Sequence, residues 1–280
     1  MTCPQFRMCT CETLTEPAKL AGLSDRFPGI VNRLAVVGKV ERGDAVGSGR
    51  LADEACEEHA VGLGRLADEV FEAVIFDMDG TLIDSTPAVI RAWTTWADEQ
   101  GLTPAELVRH HGVPSAGVVR ATLPADRHEA GIARIHELEL ADVDDIVVLP
   151  GASEALASLV GAKNAIATSC TIPLAQARIR AAQLVPPSVL ITADDVARGK
   201  PHPDPFLAAA ERLGVDPTRC LVVEDAPMGL ESAREAGCFT LAVATTTPRE
   251  NLHADAIVDD LSKVEFQPGP DGIRVRLRET

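Results

Sequence analysis

From Phe71 onward the chain alternates short apolar runs with segments of helical spacing. Ala73-Val74-Ile75-Phe76 is an unbroken apolar run, the pattern of a strand buried on both faces of a parallel sheet. Comparable runs place further strands near 164–168, 189–192, 221–224 and 239–243, with helices near 152–160, 173–184, 204–213 and 228–236. Strands alternating with helices over short connections predict an α/β fold, a doubly wound parallel sheet. Such sheets bind ligands beyond the carboxyl ends of their strands. Between Thr86 and Leu149 the pattern changes. Pro87 to Gln100, with Trp93 and Trp96, and Glu129 to Leu140 both have helical spacing, with no buried strand among them. A helical insertion over 86–149 is therefore expected, dividing the sheet domain into 71–85 and 150–262. Apolar positions on either side of Pro268-Gly269-Pro270-Asp271-Gly272 predict a hairpin within 263–280.

Residues 1–70 lack sustained periodicity, apart from an apolar stretch from Ile30 to Val37. Gly47-Ser48-Gly49-Arg50-Leu51-Ala52-Asp53-Glu54 recurs, shifted by 15 residues, as Gly62-Leu63-Gly64-Arg65-Leu66-Ala67-Asp68-Glu69. Two copies are too few for a solenoid. The segment reads as a mobile extension, with a docking or regulatory arm as the alternative. Removal of residues 1–68 is then expected to leave the melting temperature nearly unchanged.

Composition narrows the class. Of 280 residues 46% are hydrophobic, but aromatic residues make up 3% and Tyr is absent, so the core is to be built from Ala, Leu, Val and Ile. A net charge of −16 argues against nucleic acid and anionic membrane as partners. No apolar stretch approaches a membrane span. The beginning of the chain, with Pro4, Arg7, Glu12 and Glu16, lacks the apolar segment of a signal peptide. The seven cysteines, at 3, 9, 11, 56, 170, 220 and 238, do not form the two spaced pairs of a zinc site. Reduced thiols in a cytoplasmic protein are expected, with Cys220 and Cys238 acting as small core hydrophobes.

The chemistry gathers at the predicted strand ends. The first strand runs into Asp77-Met78-Asp79-Gly80-Thr81-Leu82-Ile83-Asp84-Ser85. Carboxylates two residues apart at a strand end project to the same side, and their repulsion calls for a cation or a shared proton. A bare pair would be an ordinary acidic turn; the full string is more specific. Three further strings follow: Ala165-Ile166-Ala167-Thr168-Ser169, then Gly199-Lys200-Pro201-His202-Pro203-Asp204, then Leu221-Val222-Val223-Glu224-Asp225. Singly they read as turn chemistry, a solvated lysine and a helix start. In this order, over 71 to 261, the set resembles the haloacid dehalogenase superfamily, and within it the sugar and polyol phosphatases. The resemblance implies a Rossmann-like core, makes 86–149 a helical cap domain, and implies Mg²⁺ as cofactor.

Phosphate monoesters resist hydrolysis because an anionic nucleophile must approach an anionic phosphorus, and a divalent cation between the two removes that obstacle. On the resemblance, Asp77 is the nucleophile that becomes an aspartyl-phosphate, and Asp79 protonates the leaving alkoxide and then activates water. Mg²⁺ is assigned to the Asp77 carboxylate, the Asp79 carbonyl and Asp225, with Glu224 supporting. Thr168 and Ser169 hold phosphoryl oxygens, while Lys200 meets the phosphate and keeps Asp77 ionised. In His110-His111-Gly112-Val113-Pro114, His111 is a candidate substrate contact. Similar cap loops carry a basic residue after the His-Gly pair, where Pro114 stands here. Glu137-Leu138-Glu139 also resembles the family, but an exposed acidic helix face is the expected reading.

The absence of lysine between Thr86 and Leu149 weighs against the phosphonate hydrolases and the phosphosugar mutases of this superfamily. The expected substrate is a small phosphorylated metabolite, a sugar or polyol monophosphate. A phosphosugar mutase and a non-catalytic interaction protein on the same fold remain alternatives, although Asp77, Asp79, Lys200 and Asp225 are all retained.

Overall fold

The computed structural model describes residues 63–64, 66–103 and 114–278. A parallel six-stranded sheet organises the chain. Its strands are β1 (Ala73–Phe76), β4 (Asn164–Ala167), β5 (Val189–Ile191), β6 (Cys220–Glu224), β7 (Phe239–Val243) and β8 (Ala256–Val258), in the order β5-β4-β1-β6-β7-β8. The doubly wound expectation holds, and the sheet gains one strand that the apolar pattern missed. β8 is three residues between Asp255 and Asp259, too short to stand out.

Alternate residues of β1 serve opposite faces. Val74 and Phe76 join a core cluster with α4 (Ala152–Ser158), through Ala152 and Leu156, and α5 (Ile172–Ala181), through Leu174, Ala175 and Ile179. Ala73 and Ile75 join another with α6 (Asp204–Leu213), through Phe206, Ala209 and Ala210, and with Ala233 of α7 (Pro227–Glu235). The helix boundaries have local causes. Pro205 occupies the first turn of α6, where its missing N–H costs nothing, and Gly214 ends it at φ +64°. The Ile172 N–H at the start of α5 donates to Asp194 Oδ2 at 2.7 Å, which satisfies a donor the helix itself cannot.

Between β1 and α4 the described residues form three α-helices: α1 (Thr86–Gln100), α2 (Ser115–Thr122) and α3 (His128–Ala141). They pack on one another through Ala92, Trp96, Val119, Leu123 and Ile135. Gly131 permits the contact. A Cβ there would lie 2.8 Å from Leu123 Cδ1, and the Gly131 carbonyl accepts from Trp96 Nε1 at 2.9 Å. The outgoing chain, β2 (Ile83–Asp84), pairs antiparallel with the returning chain, β3 (Val147–Val148). No helix among the described residues is long and apolar enough to cross a membrane.

The hairpin is formed by β9 (Val264–Gly269) and β10 (Gly272–Leu277). It corrects the expectation for the preceding extension. Leu63 and Leu66 are fully buried in the same cluster as Phe266, Ile273 and Val275. The Arg276 guanidinium donates to the Ala67 carbonyl, and Phe71 exchanges backbone hydrogen bonds with Ile273 at 2.8 and 2.7 Å. The last residues of the supposed mobile arm are thus core. Two leucines in the second copy of the duplicated string supply the apolar contact; the first copy lies outside the described residues. Leu66→Ala should cost about 2–5 kcal/mol, lowering the melting temperature by several degrees in calorimetry. An unchanged transition would show that this segment does not stabilise the core.

Candidate active site

The carboxyl ends of β1, β4, β6 and β7 gather the polar residues of the sequence motifs. β1 lies between β4 and β6, in register Phe76 with Ile166 and with Val223. The chain winds outward on one side of β1 and resumes on the other, so the β1–β6 boundary is a switch point of the topology. Asp77 follows β1, and its N–H donates to the Val223 carbonyl at 2.9 Å. Its side chain is therefore pinned beside the end of β6, where Glu224 and Asp225 emerge. Oxygens of Asp77, Glu224 and Asp225 lie within 4.8 Å of one another, all three residues buried.

Lys200 enters this group from the loop after β5. Its Nζ donates to Asp77 Oδ1 at 2.5 Å and to Glu224 Oε1 at 2.8 Å, and it stands 5.1 Å from the centre of the Phe206 ring. Glu224 Oε2 accepts the Ala226 N–H at 2.6 Å. Asp225 accepts from Thr81 Oγ1 at 3.2 Å and from the Thr246 hydroxyl. Gly80 makes the approach possible. At φ +85° a Cβ would lie 2.4 Å from Asp225 Oδ2, so a side chain would force the turn and the carboxylate apart.

Burial dominates the electrostatics. It pushes the Asp77 carboxyl up to about 7, although Lys200 pulls the other way. Asp225 is raised well above its ordinary value by burial and by Glu224 and Asp77 beside it. Burial disfavours the Lys200 charge, but Asp77 and Glu224 outweigh it and hold the ammonium charged. Lys200 thus offsets only part of what burial costs the Asp77 carboxylate. Three buried carboxyl groups beside one ammonium form an oxygen-only donor set, and a hard divalent cation fits it.

Asp79 turns away from this group. Its Oδ1 accepts from Ser85 Oγ at 2.6 Å and from Arg178 at 2.8 Å, and its Oδ2 accepts the Cys170 thiol at 3.1 Å. The two acids therefore relieve their repulsion by pairing with different cations, Asp77 with Lys200 and Asp79 with Arg178. Thr168, buried after β4, accepts the Cys170 N–H on Oγ1 at 3.1 Å, and Ser169 beside it is half-buried. His111 lies outside the described residues. Pro114, just after it, meets the core at Gly199, where a Cβ would lie 2.9 Å from the proline ring.

Several participants escaped the sequence reading. Thr245 and Thr246 follow β7, the former donating to the Gly80 carbonyl; the run Thr245-Thr246-Thr247 at a strand end was the available signal. Arg178 falls on the buried stripe of α5 with Leu174, Ala175 and Ile179, where a charge is out of place. Glu139 corrects an expectation. Glu137 is solvent-facing, but Glu139 is buried and pairs with Arg178 at 3.3 Å, because it continues the stripe of Gly131 and Ile135 along α3.

This geometry has relatives. A sequence profile of haloacid dehalogenase-like hydrolases matches residues 71–237. Hexitol phosphatase A of Escherichia coli is 42% identical over 207 residues, covering 71% of this chain and 95% of that protein. Glycerol-1-phosphate phosphohydrolase 2 of Saccharomyces cerevisiae is 34% identical over 187 residues, 62% of this chain and 75% of that one. Among solved structures, a hydrolase from Pseudomonas syringae superposes with a TM-score of 0.63 at 28% identity, over 68% of this chain and 94% of that one. The carboxylates after β1, the lysine after β5 and the acids ending β6 all fall inside the matched span, and the chain belongs to the haloacid dehalogenase-like hydrolases.

Proposed function

We propose that the protein is a Mg²⁺-dependent phosphatase of small sugar or polyol monophosphates, acting through an aspartyl-phosphate. The observation that carries this reading is Asp77, buried between Lys200 and the Glu224–Asp225 pair at the carboxyl edge of the sheet. The relatives support the phosphatase class and a small polyol substrate, since one is a hexitol phosphatase and another a glycerol-1-phosphate phosphohydrolase.

Mg²⁺ held by the Asp77 carboxylate, the Asp79 carbonyl and Asp225, with Glu224 supporting, would supply the positive charge that lets an anionic nucleophile meet a phosphoryl group. An Asp77 oxygen attacks phosphorus, and the bond to the ester oxygen breaks as that oxygen takes a proton from Asp79. Asp79 then removes a proton from water, which attacks the aspartyl-phosphate and releases inorganic phosphate. Thr168 and Ser169 hold phosphoryl oxygens, and Lys200 offsets their charge. His111 is a substrate contact in this reading.

A single phosphate is favoured because three arginines of the helical insertion are already engaged. Arg91 is held by Asp142 and Asp145 at 2.7–2.8 Å, Arg134 by Glu99 at 2.7 Å and Glu137 at 3.1 Å, and Arg127 by Gln100 at 2.6 Å. These pairs are exposed and individually weak, yet a second phosphate would have to displace them.

Excess chelator should abolish hydrolysis of p-nitrophenyl phosphate, and added Mg²⁺ should restore it; full turnover without metal would refute the cation. Asp77→Asn is expected to remove turnover and any acid-stable phosphoryl-enzyme. A variant retaining a tenth of the normal rate would exclude Asp77 as nucleophile. Catalytic efficiency on a hexitol monophosphate should exceed that on the matching bisphosphate. A tenfold preference for the bisphosphate, about 1.4 kcal/mol of transition-state binding, would mean that an insertion arginine does reach the site.

A further inference from the structure

Arg178 has no role in the chemistry just described, yet it touches the residue on which both proton transfers depend. Its side chain is 5% exposed. One terminal nitrogen donates to Asp79 Oδ1 at 2.8 Å and approaches Cys170 Sγ at 3.3 Å. The other donates to Glu139 Oε1 at 3.3 Å, across to α3 of the insertion. Its Nε has no hydrogen-bond partner among the described residues.

Those contacts do not describe a residue selected for stability. A buried guanidinium is costly unless its donors are satisfied, and a well-packed apolar side chain on the same stripe would commonly serve the fold as well or better. Here one buried donor is left over, and the pair to Glu139 is longer than a good charge-assisted bond. What the arrangement does achieve is geometric. The guanidinium is planar and rigid, with Asp79 on one terminal nitrogen and Glu139 on the other. Ser85 Oγ, at 2.6 Å, meets the same Asp79 oxygen from a second direction, and the Cys170 thiol meets the other oxygen. The carboxylate is therefore held at both oxygens, and its strongest constraint is a side chain from α5.

We infer that Arg178 is a positioning residue that fixes the Asp79 carboxylate for proton transfer, and that Glu139 on α3 holds Arg178 in place for it. The inference rests on the reading of Asp79 as acid and base. In its absence the carboxylate would keep only the hydroxyl and thiol donors and would rotate, so protonation of a poor leaving group would slow. Loss of Glu139 would act through Arg178 and have a smaller effect in the same sense.

The test separates leaving groups. The ratio kcat/KM reports events up to the first irreversible step, here transfer of the phosphoryl group to Asp77. Departure of 2,4-dinitrophenolate needs no acid, whereas departure of an alkoxide does. Arg178→Lys keeps a cation but cannot bridge two carboxylates in a fork. It should lower kcat/KM on glycerol phosphate about a hundredfold and on 2,4-dinitrophenyl phosphate less than about threefold, with KM for both nearly constant. Glu139→Gln, which is isosteric, should reproduce the selectivity at about a tenfold loss. Activity on the dinitrophenyl ester reports that each variant is folded. Equal losses on the two substrates, or no loss on either, would overturn the inference. Asp79→Asn assayed in parallel isolates the premise: if it too shows no leaving-group selectivity, the assignment of Asp79 falls, and this inference falls with it.

Discussion

Asp77, Glu224, Asp225 and Lys200 are all taken out of water at one edge of the sheet. Much of the surrounding sequence answers to that fact. Desolvating a carboxylate or an ammonium costs several kcal/mol even after relaxation, and breaking such a group by removing one partner typically costs about 3–5 kcal/mol. Against a total stability of about 5–15 kcal/mol, the group holds together only where every member finds a partner. Lys200 reaches two carboxylates, the Ala226 N–H meets the second oxygen of Glu224, and two threonine hydroxyls meet Asp225. Space is as constrained as charge. A Cβ on Gly229 would fall 1.8 Å from Glu224 Oε1, so the first turn of α7 can sit against that carboxylate only with glycine there. Fold and chemistry share these residues, and substitution at any of them acts on both.

Asp79 illustrates how two like charges are separated over two residues. The turn at Gly80 sends the backbone past Asp225, while the Asp79 side chain leaves toward α5. Each acid then has its own cation in its own surroundings, one set in the core of the sheet edge and the other between the core and the helical insertion.

How far the sequence carried depended on the range of the interactions. The four strings were legible because each is local: three are apolar runs ending in polar residues of defined type, and the fourth is the short loop around Lys200. β1, β4, β6 and β7 and the helices between them followed from the same runs. β8 was lost because three residues between aspartates give no periodicity, and α2 because Ser115–Thr122 spans only about two turns. Arg178 and Glu139 were lost for another reason. They are 39 residues apart on helices read separately, so the charge on the apolar stripe of α5 had no visible counterpart; only their pairing explains why both are buried. Leu63 and Leu66 were missed because a short apolar pair at the end of a Gly- and charge-rich segment carries no period, and the hairpin that covers it lies at the opposite end of the chain.

The β2–β3 ladder has an evolutionary consequence. The chain departs along Ile83–Asp84 and returns along Val147–Val148, and the Leu149 N–H extends the pairing to the Leu82 carbonyl at 3.0 Å. Exit and re-entry therefore lie about 5 Å apart, one strand spacing, whatever is built between them. A segment whose two ends meet at a fixed point can be lengthened, shortened or exchanged without moving the sheet it interrupts. Selection can thus remodel the helices while the strands beneath them stay as they are.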